Sequence, residues 1–400
     1  MSNYIYQCFS CKKEFSPDII ENKFHYLCPD CGKAERNRPL QGVLEIVYDY
    51  EKLKNKLSLK EFLKLTPGKF WLYPDLWPLN FQDFTIDQLH RLALPSDQLL
   101  KYSLNGRDLW LLDDTRNPTL SYKDRASSLV ALKAMQLGIS EIAAASTGNA
   151  GSSLAGVCAR FGLKAIIYVP EKIPEAKRIQ IEAYEAKLII IKGDYDRAFD
   201  TCLAESKNNK WYNRNTAYNP LTIEGKKSAA YDIFISTGGS LPDVIFIPVG
   251  DGVILSGVYK GFKELLLLGW INKIPKLIAV QSAGSDALVR YLDTGKFEYK
   301  TANTIADSIS AGAPRNLFMA ADAVRKSNGY AVSVTDKEII SAQKEFIHLT
   351  GILCEPSSAS VYAAYEKLIL DDKISSPEKI LLLITGNGLK DIEALGRIGI

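Results

Sequence analysis

The sequence predicts an α/β protein with doubly wound parallel sheets, preceded by a small segment that contains four cysteines. Two observations predict this fold class. From residue 108 onward, short apolar runs alternate with helical patterns, and most runs are continuously apolar, as is typical of strands buried on both faces. Near the N-terminus, two Cys-x2-Cys pairs stand apart from the other three cysteines. Because ligands of such sheets bind beyond the carboxyl ends of the strands, a site is expected in the turns that follow the apolar runs.

Length and composition bound the class of protein. The chain has 400 residues, enough for two or more domains, with 46% apolar and 24% charged residues. A net charge of +3 gives no electrostatic case for a nucleic-acid or membrane partner. The N-terminus lacks the pattern of a signal peptide, and the longest apolar run, at 265–270, is far shorter than the roughly 18 residues of a membrane span. We therefore expect a cytoplasmic protein.

The four N-terminal cysteines have the spacing of a metal site. Cys8 and Cys11 form one pair, Cys28 and Cys31 form the second, and sixteen residues separate the pairs. Two such knuckles can direct four thiolates onto one tetrahedral zinc ion, which would also hold this small segment together. Four cysteines leave no open coordination position, so the zinc is expected to be structural, with His25 as the alternative ligand. The competing interpretation, a redox dithiol, needs neither the second pair nor this spacing.

The remaining elements follow the alternation of apolar and amphipathic patterns. A mixed-charge pattern at 43–65 predicts a helix, and an aromatic, proline-rich stretch at 69–78 predicts an irregular cover over the main body. Strands are predicted at 109–112, 141–145, 165–169, 188–191, 244–249, 277–280 and 380–384. Helices are predicted at 126–137, 173–186, 198–205, 254–268 and 337–349.

Lys123 is the first candidate for chemistry. It follows the strand at 109–112 and immediately precedes the helix at 126–137, close to the positive end of the helix dipole. A cation there is disfavoured, so the ammonium should lose a proton more easily than a surface lysine does. A neutral amine can attack an aldehyde and form a Schiff base. The alternative is an ordinary solvated lysine in a loop.

Three polar, glycine-bearing turns also follow predicted strands. Amides and hydroxyls at a helix N-terminus can hold a carboxylate or a phosphate. One such turn alone is an ordinary connection, but three together with Lys123 predict a site. A nicotinamide site is disfavoured because Leu255 stands where G-x-G-x-x-G requires its third glycine, and no histidine lies near these turns to act as a base. The turns are 146–153, 248–257 and 385–391.

Together, the lysine segment, the Ser-Thr-Gly-Asn turn at 146–149 and the Thr-Gly-x-Gly-Leu-Lys-Asp turn at 385–391 resemble the threonine synthase family. These are pyridoxal-phosphate enzymes of the tryptophan-synthase-β fold type, and some members carry a four-cysteine ribbon. The resemblance implies two doubly wound parallel-sheet domains with the cofactor in the cleft between them. The implied boundaries are 1–35 for the zinc ribbon, 36–120 for a helical and irregular cover with the start of the large domain, 121–220 for the small domain and 221–400 for the large domain.

The resemblance also implies roles for individual residues. Lys123 would be the catalytic Schiff-base lysine and proton carrier, and Asn149 would bind the 3-hydroxyl oxygen of the cofactor. Ser146 and Thr147 would hold the carboxylate of the amino-acid substrate. Thr385 would face the pyridine nitrogen, where a hydroxyl leaves the ring largely neutral and favours elimination over transamination. The turn that would hold the cofactor phosphate consists of Gly250, Asp251, Gly252, Val253 and Ile254.

Several positions depart from the family pattern. Leu120 and Tyr122 stand where the family usually has glycine and phenylalanine. Thr222 stands where the family has an arginine that helps bind the phosphate of phosphohomoserine. Lys226, in place of a glutamine, or Arg214 is expected to supply the missing charge to the substrate.

The expected function is therefore a pyridoxal-phosphate-dependent lyase that converts O-phospho-L-homoserine and water to L-threonine and phosphate, in a chain expected to be a homodimer as the family commonly is. Because of Thr222, an alternative stays open: β-elimination or β-replacement on serine, threonine or phosphoserine. A third interpretation, a zinc-ribbon module that recruits a nucleic acid or protein beside an inactive α/β body, is disfavoured by the near-neutral charge and by Lys123.

Overall fold

The computed structural model describes residues 3–104, 107–146, 148–374 and 378–397. It confirms an α/β architecture with parallel sheets. The strands are β1 (Tyr4–Cys8), β2 (Glu14–Phe15), β3 (Leu44–Tyr48), β4 (Leu99–Leu104), β5 (Arg107–Asp113), β6 (Glu141–Ala145), β7 (Lys164–Pro170), β8 (Lys187–Ile191), β9 (Tyr212–Asn213), β10 (Val244–Pro248), β11 (Lys276–Ser282), β12 (Tyr330–Val334) and β13 (Ile380–Ile384).

Helices connect most of these strands, and none of the described helices is long and apolar enough to span a bilayer. They are α1 (Pro17–Glu21), α2 (Tyr50–Lys56), α3 (Leu59–Phe62), α4 (Ile86–His90), α5 (Asp124–Gln136), α6 (Asn149–Phe161), α7 (Glu175–Ala183), α8 (Tyr195–Asn209), α9 (Leu221–Lys226), α10 (Ser228–Ser236), α11 (Val253–Leu267), α12 (Ala287–Thr294), α13 (Leu317–Lys326), α14 (Asp336–Thr350), α15 (Pro356–Leu370) and α16 (Ile392–Gly396).

The large sheet has the order β12-β11-β10-β13-β5-β4, and the small sheet has the order β8-β7-β6-β9. The small sheet is parallel throughout, and the large sheet is parallel except for the edge strand β4, which runs antiparallel to β5. Strands β10 and β13 are buried at every position, which explains their continuously apolar sequences. Because β10, β13 and β5 are neighbours, the turns that follow them meet at one edge of the large sheet.

The N-terminal part differs from the prediction at 43–65. Residues 44–48 form β3, which pairs antiparallel with β1, and the helical pattern begins only at Tyr50. The physical reason is a two-residue period: Leu44, Ile46 and Tyr48 are buried while the residues between them are partly exposed. The sheet of the four-cysteine segment therefore extends beyond residue 35. The domain boundaries at 120 and 220 stay a prediction.

A buried arginine ties the start of α5 to the rest of the large sheet. Arg125 donates to both carboxylate oxygens of Asp114, at 2.7 and 2.9 Å, and also pairs with Asp232 on α10. All three side chains are almost completely inaccessible to solvent. Removing one member of this buried group would be costly. The charges that remain would have no partner in the low-dielectric interior of the protein.

We predict that Arg125→Leu lowers the free energy of unfolding by about 3–5 kcal/mol, because it leaves two buried carboxylates without a cation. The matched control is Arg178→Leu, which removes a surface pair with Glu182 and should change stability by less than about 1 kcal/mol. Urea unfolding of the three proteins measures both effects. Equal stability losses in the two variants would contradict the role given to Arg125.

Candidate active site

A cleft opens where connections of the two sheets meet. The structure brings together Lys123, Ser146, Asn149, Lys226 and the whole turn 250–254 as lining residues. Thr385 is not part of this lining, and Thr147 lies outside the described residues. Lining residues that the sequence did not single out are Ala145, Tyr195, Thr216, Ser308, Ile309, Ser310 and Ala311.

Lys123 occupies the N-cap position of α5, with its side chain half-buried in the cleft. Burial, together with the positive charges of Arg214 and Lys177, lowers the pKa of its ammonium to about 8, although Glu355 and Asp251 oppose the shift. A larger fraction of this amine than of a surface lysine is therefore neutral near physiological pH, and the neutral form is the one that attacks a carbonyl carbon.

Backbone pairing holds the loop that carries Lys123. The amide of Tyr122 donates to the carbonyl of Thr385 at 2.8 Å, and the amide of Asn387 donates to the carbonyl of Leu120 at 3.1 Å. Leu120 has a φ of +64°, the left-handed region that glycine adopts without strain. This conformation explains why the resembled family usually has glycine at this position. The hydroxyl of Tyr122 donates to the carbonyl of Lys226 at 2.8 Å, so this departure from phenylalanine holds the helix that carries Lys226.

The turn after β6 is closed by Ser146. Its Oγ accepts from the amides of Gly148 and Gly151, each at 2.9 Å, at the start of α6. These two bonds occupy the lone pairs of the hydroxyl and leave its proton free to be donated into the cleft. The arrangement suits a ligand carboxylate.

Asn149 connects this turn to a residue that the sequence analysis missed. Its Nδ2 donates to both carboxylate oxygens of Glu355, at 2.9 and 3.0 Å, and to Oγ of Ser308 at 2.9 Å. The Oδ1 of Asn149 is buried and has no hydrogen-bond partner among the described residues. Glu355 is buried as the N-cap of α15. An acid immediately before the proline that opens a small-residue helix was the signal in the sequence that could have identified it.

The turn after β10 requires its two glycines. Gly252 has a φ of +87°, and a Cβ at Gly250 would lie 2.9 Å from Cα of Ile309. Asp251, the acid expected to disfavour a bound phosphate, is already satisfied: its Oδ1 accepts from the amide of Arg315 at 3.0 Å, and its Oδ2 accepts from the hydroxyl of Tyr195 at 3.3 Å.

Positive charge lies close to this turn. Lys226 and Arg214 are both buried, and two nitrogens of the Arg214 guanidinium, Nε and Nη2, find no acceptor in the described part of the chain. Burial, then Arg214 and Lys123, lower the pKa of Lys226 well below its usual range. Burial also lowers the pKa of Arg214 to about 10. Such cations destabilise one another, and a bound dianion would relieve the repulsion.

Thr222 cannot replace the arginine of the family pattern. Its hydroxyl donates to the carbonyl of Asn219 at 2.7 Å and accepts from the amide of Ala217 at 3.1 Å, so it stabilises the turn before α9. Lys226 lies four residues later, on the same face of α9, one helical turn away. A buried cation therefore lies one helical turn beyond Thr222 in this chain.

Thr385 lies on the far side of the lysine loop. Its Oγ1 is 3.3 Å from Oγ of Ser358, and its carbonyl accepts from Tyr122.

Lys390, five residues after Thr385, is buried and donates to the carbonyl of Thr119 and to Oγ of Ser152, both at 2.9 Å. Burial lowers the pKa of Lys390 to about 7, yet it does not line the cleft. A lowered pKa alone therefore does not identify the reactive lysine, whereas access to the cleft favours Lys123.

The four N-terminal cysteines form one cluster, in which the sulfurs lie within 4.8 Å of one another. The Sγ atoms of Cys8 and Cys31 are 3.4 Å apart, and those of Cys11 and Cys28 are 3.7 Å apart. Four sulfurs about 2.3 Å from a zinc ion at the centre of a tetrahedron lie about 3.8 Å from one another. The cysteines therefore fit a single tetrahedral ion.

Comparison with known proteins identifies the family. A family profile described as pyridoxal-phosphate dependent enzyme matches residues 93–386. A threonine synthase of Methanocaldococcus jannaschii is 36% identical, over 97% of this chain and 93% of the relative. One of Methanosarcina acetivorans is 32% identical, over 97% of this chain and 92% of the relative. Among solved structures, a fungal L-serine ammonia-lyase from Rhizomucor miehei has a TM-score of 0.63 and 20% identity, over 76% of this chain and 96% of the other, which supports the fold.

The family profile defines a pyridoxal-phosphate-dependent enzyme, and the fold agrees with it. Within that class, the chain belongs to the threonine synthase family.

The pKa of Lys123 gives a testable pH dependence. The rate at which acetic anhydride labels Lys123 in the cofactor-free protein should rise with a midpoint near 8, whereas an unperturbed lysine titrates near about 10.4. Arg214→Met removes a positive neighbour and should move the midpoint upward. Glu355→Gln removes a negative neighbour and should move it downward. Peptide mass spectrometry between pH 6 and 11 measures the three midpoints, and shifts of the same sign in both variants would contradict the assignment.

Proposed function

We propose that the cleft binds pyridoxal phosphate and that the chain converts O-phospho-L-homoserine and water to L-threonine and phosphate. The observation that carries this proposal is the convergence on one cleft of a lysine with a lowered pKa, a glycine turn at the start of α11 and a second buried cation, Lys226. Membership of the threonine synthase family supports the same reaction.

The residues of the cleft fit the cofactor. The amides of the turn 250–254, at the N-terminus of α11, would hold its phosphate. The side-chain amide of Asn149 would form a hydrogen bond with the 3-hydroxyl oxygen of the cofactor. Thr385, which does not line the cleft, would offer the ring nitrogen a hydroxyl. Bound pyridoxal phosphate supplies an electron sink for negative charge at the substrate's Cα.

The protein's own groups would then handle the substrate. Ser146 and the amides at the start of α6 would bind its carboxylate and fix its orientation. Lys123 would hold the cofactor through its amine and, once the substrate amine takes its place, would move protons at Cα, Cβ and Cγ. Removal of a proton from Cα and one from Cβ would allow phosphate to leave from Cγ; Cγ would then gain a proton to become the methyl group, the hydroxyl of water would add at Cβ, and Cα would regain its proton.

We assign the phosphate of the substrate to Lys226, with Arg214 behind it. Lys226 lines the cleft and is repelled by neighbouring cations in the absence of an anion. A phosphate dianion beside it would raise its pKa again and form a charge-assisted hydrogen bond. The displacement of this cation by one turn relative to the family pattern supports Lys226 as the residue that sets specificity for a phosphorylated substrate.

Steady-state assays with phosphohomoserine test the reaction and this assignment together. The wild type should release phosphate and threonine in equal amounts. Lys226→Met should lower kcat/KM by about 10- to 150-fold, because a hydrogen bond to a charged group contributes about 1.5–3 kcal/mol. Lys226→Arg keeps the charge and should retain most of the activity, and neither variant should change the absorbance of the bound cofactor.

The alternative function keeps the cofactor and changes the substrate. Thr222 favours it, because the side chain is committed to the turn before α9 and offers no charge to a phosphate. Release of a keto acid from serine or threonine, or of phosphate from phosphoserine, with no reaction of phosphohomoserine, would establish this alternative and exclude the proposed one.

We also propose that the four cysteines bind one structural zinc ion, which the sulfur–sulfur distances support. All four ligands come from the protein, so the ion has no position for a substrate and takes no part in the reaction. Assembly as a homodimer and a cytoplasmic location stay predictions.

A further inference from the structure

The chain that leaves the four-cysteine cluster lies against the wall of the cleft. The carbonyl of Gly42 accepts from the amide of Cys28 at 2.8 Å, and the carbonyl of Val43 accepts from the amide of Phe9 at 2.9 Å. These two backbone hydrogen bonds connect residues 42–43 to the segments of both cysteine pairs. Leu40 and Val43 pack in one apolar cluster with Val253, which lines the cleft at the start of α11.

Arg315 connects this segment to the glycine turn. Its Nη1 donates to the carbonyls of Glu35 and Arg38, at 3.4 and 3.1 Å, and its own carbonyl accepts from the amide of Leu40 at 3.1 Å. Its backbone amide donates to Oδ1 of Asp251 at 3.0 Å. The side chain is completely buried and also pairs with Asp196 on α8. One residue thus joins the four-cysteine segment, α8 and the turn proposed to hold the cofactor phosphate.

Two further hydrogen bonds join the N-terminal segment to elements near the cleft. The hydroxyl of Tyr26 accepts from the amide of Asn213 at 2.7 Å, next to Arg214. The hydroxyl of Tyr48 donates to Oε1 of Glu224 at 2.6 Å, on the helix that carries Lys226. The N-terminal segment therefore supports three parts of the cleft wall from behind.

These contacts between the N-terminal segment and the cleft would depend on a bound metal ion. A segment this small depends on its ion for folding, because the preformed site does not exist in the unfolded chain and binding energy is folding energy. Without the ion, the carbonyls of Glu35 and Arg38 would no longer be held in place. The buried guanidinium of Arg315 would then lack two acceptors, a costly state that displaces the side chain and, with it, the amide that holds Asp251.

We propose that the four-cysteine segment is a metal-dependent support for the glycine turn, with Arg315 as the positioning residue that connects the two. The proposal rests on the proposed function, because it takes the turn 250–254 as the site of the cofactor phosphate. It assigns to the metal a role in the affinity for the cofactor, beyond the stability of its own segment.

The test compares pyridoxal phosphate with pyridoxal, which lacks the phosphate. Dissociation constants for both are measured by absorbance with the full chain, first loaded with zinc and then stripped by a chelator that is removed before titration. Loss of the metal should weaken pyridoxal phosphate at least ten-fold and change pyridoxal less than two-fold, and added Zn²⁺ should restore the first value. Arg315→Met in the zinc-loaded chain should reproduce the same selective loss.

Two controls keep the test decisive. Arg290→Met removes a partly exposed pair with Asp286 and should change neither constant. If Arg315→Met fails to fold, Leu40→Ala, which keeps the cysteines and the guanidinium, should still weaken pyridoxal phosphate selectively. Equal affinity for pyridoxal phosphate with and without zinc, or equal losses for both ligands, would overturn this proposal alone. No binding of pyridoxal phosphate to the zinc-loaded wild type would overturn the proposed function as well.

Discussion

The site depends on the backbone pairing between the lysine loop and the turn after β13. The loop follows β5, which is the neighbour of β13 in the large sheet, and the bonds Tyr122 to Thr385 and Asn387 to Leu120 bring the two connections together beyond the strand ends. Gly386 takes part in the same pairing, and a side chain there would collide with the carboxylate of Glu355. The strained conformation of Leu120 persists because these contacts determine it on both sides. This pairing places Lys123 at the N-terminus of α5 and inside the cleft.

Charge is the second constraint on the cleft. Arg214 lowers the pKa of both Lys123 and Lys226, and Lys123 also lowers that of Lys226. Two nearby carboxylates form hydrogen bonds with other residues: Asp251 with Arg315 and Tyr195, and Glu355 with Asn149. A cleft with uncompensated buried cations is stabilised by anionic ligands. This preference accounts for a phosphorylated cofactor and also favours a phosphorylated substrate, although Thr222 departs from the family pattern.

The fold could be predicted where strands are buried on both faces. The runs at 141–145 and 380–384 match β6 and β13, because a short, continuously apolar run between turn residues is typical of a strand in the middle of a parallel sheet. Strands β4 and β12 lie at the edges of the large sheet, and β3 lies at an edge of the N-terminal sheet, where exposed positions weaken the pattern. The short alternation of β3 also runs almost directly into the helical pattern that begins at Tyr50, so the single helix predicted there is wrong.

The lining residues that follow strands were predictable from position, whereas Glu355 had only a local signal at the start of α15 and Arg315 had none. Each reaches the site through tertiary contacts with residues far away in the sequence, such as Asn149 and Glu35.

The most direct test of the central claim is to find where the cofactor attaches. Treatment of the pyridoxal-phosphate-loaded protein with borohydride, followed by peptide mass spectrometry, should give one phosphopyridoxyl group per chain, on Lys123. Lys390 is the internal comparison, because burial lowers its pKa to about 7 while its ammonium donates to Thr119 and Ser152 and the residue does not line the cleft. A label on Lys390 or Lys226, or no label at all in a folded protein, would contradict the central claim.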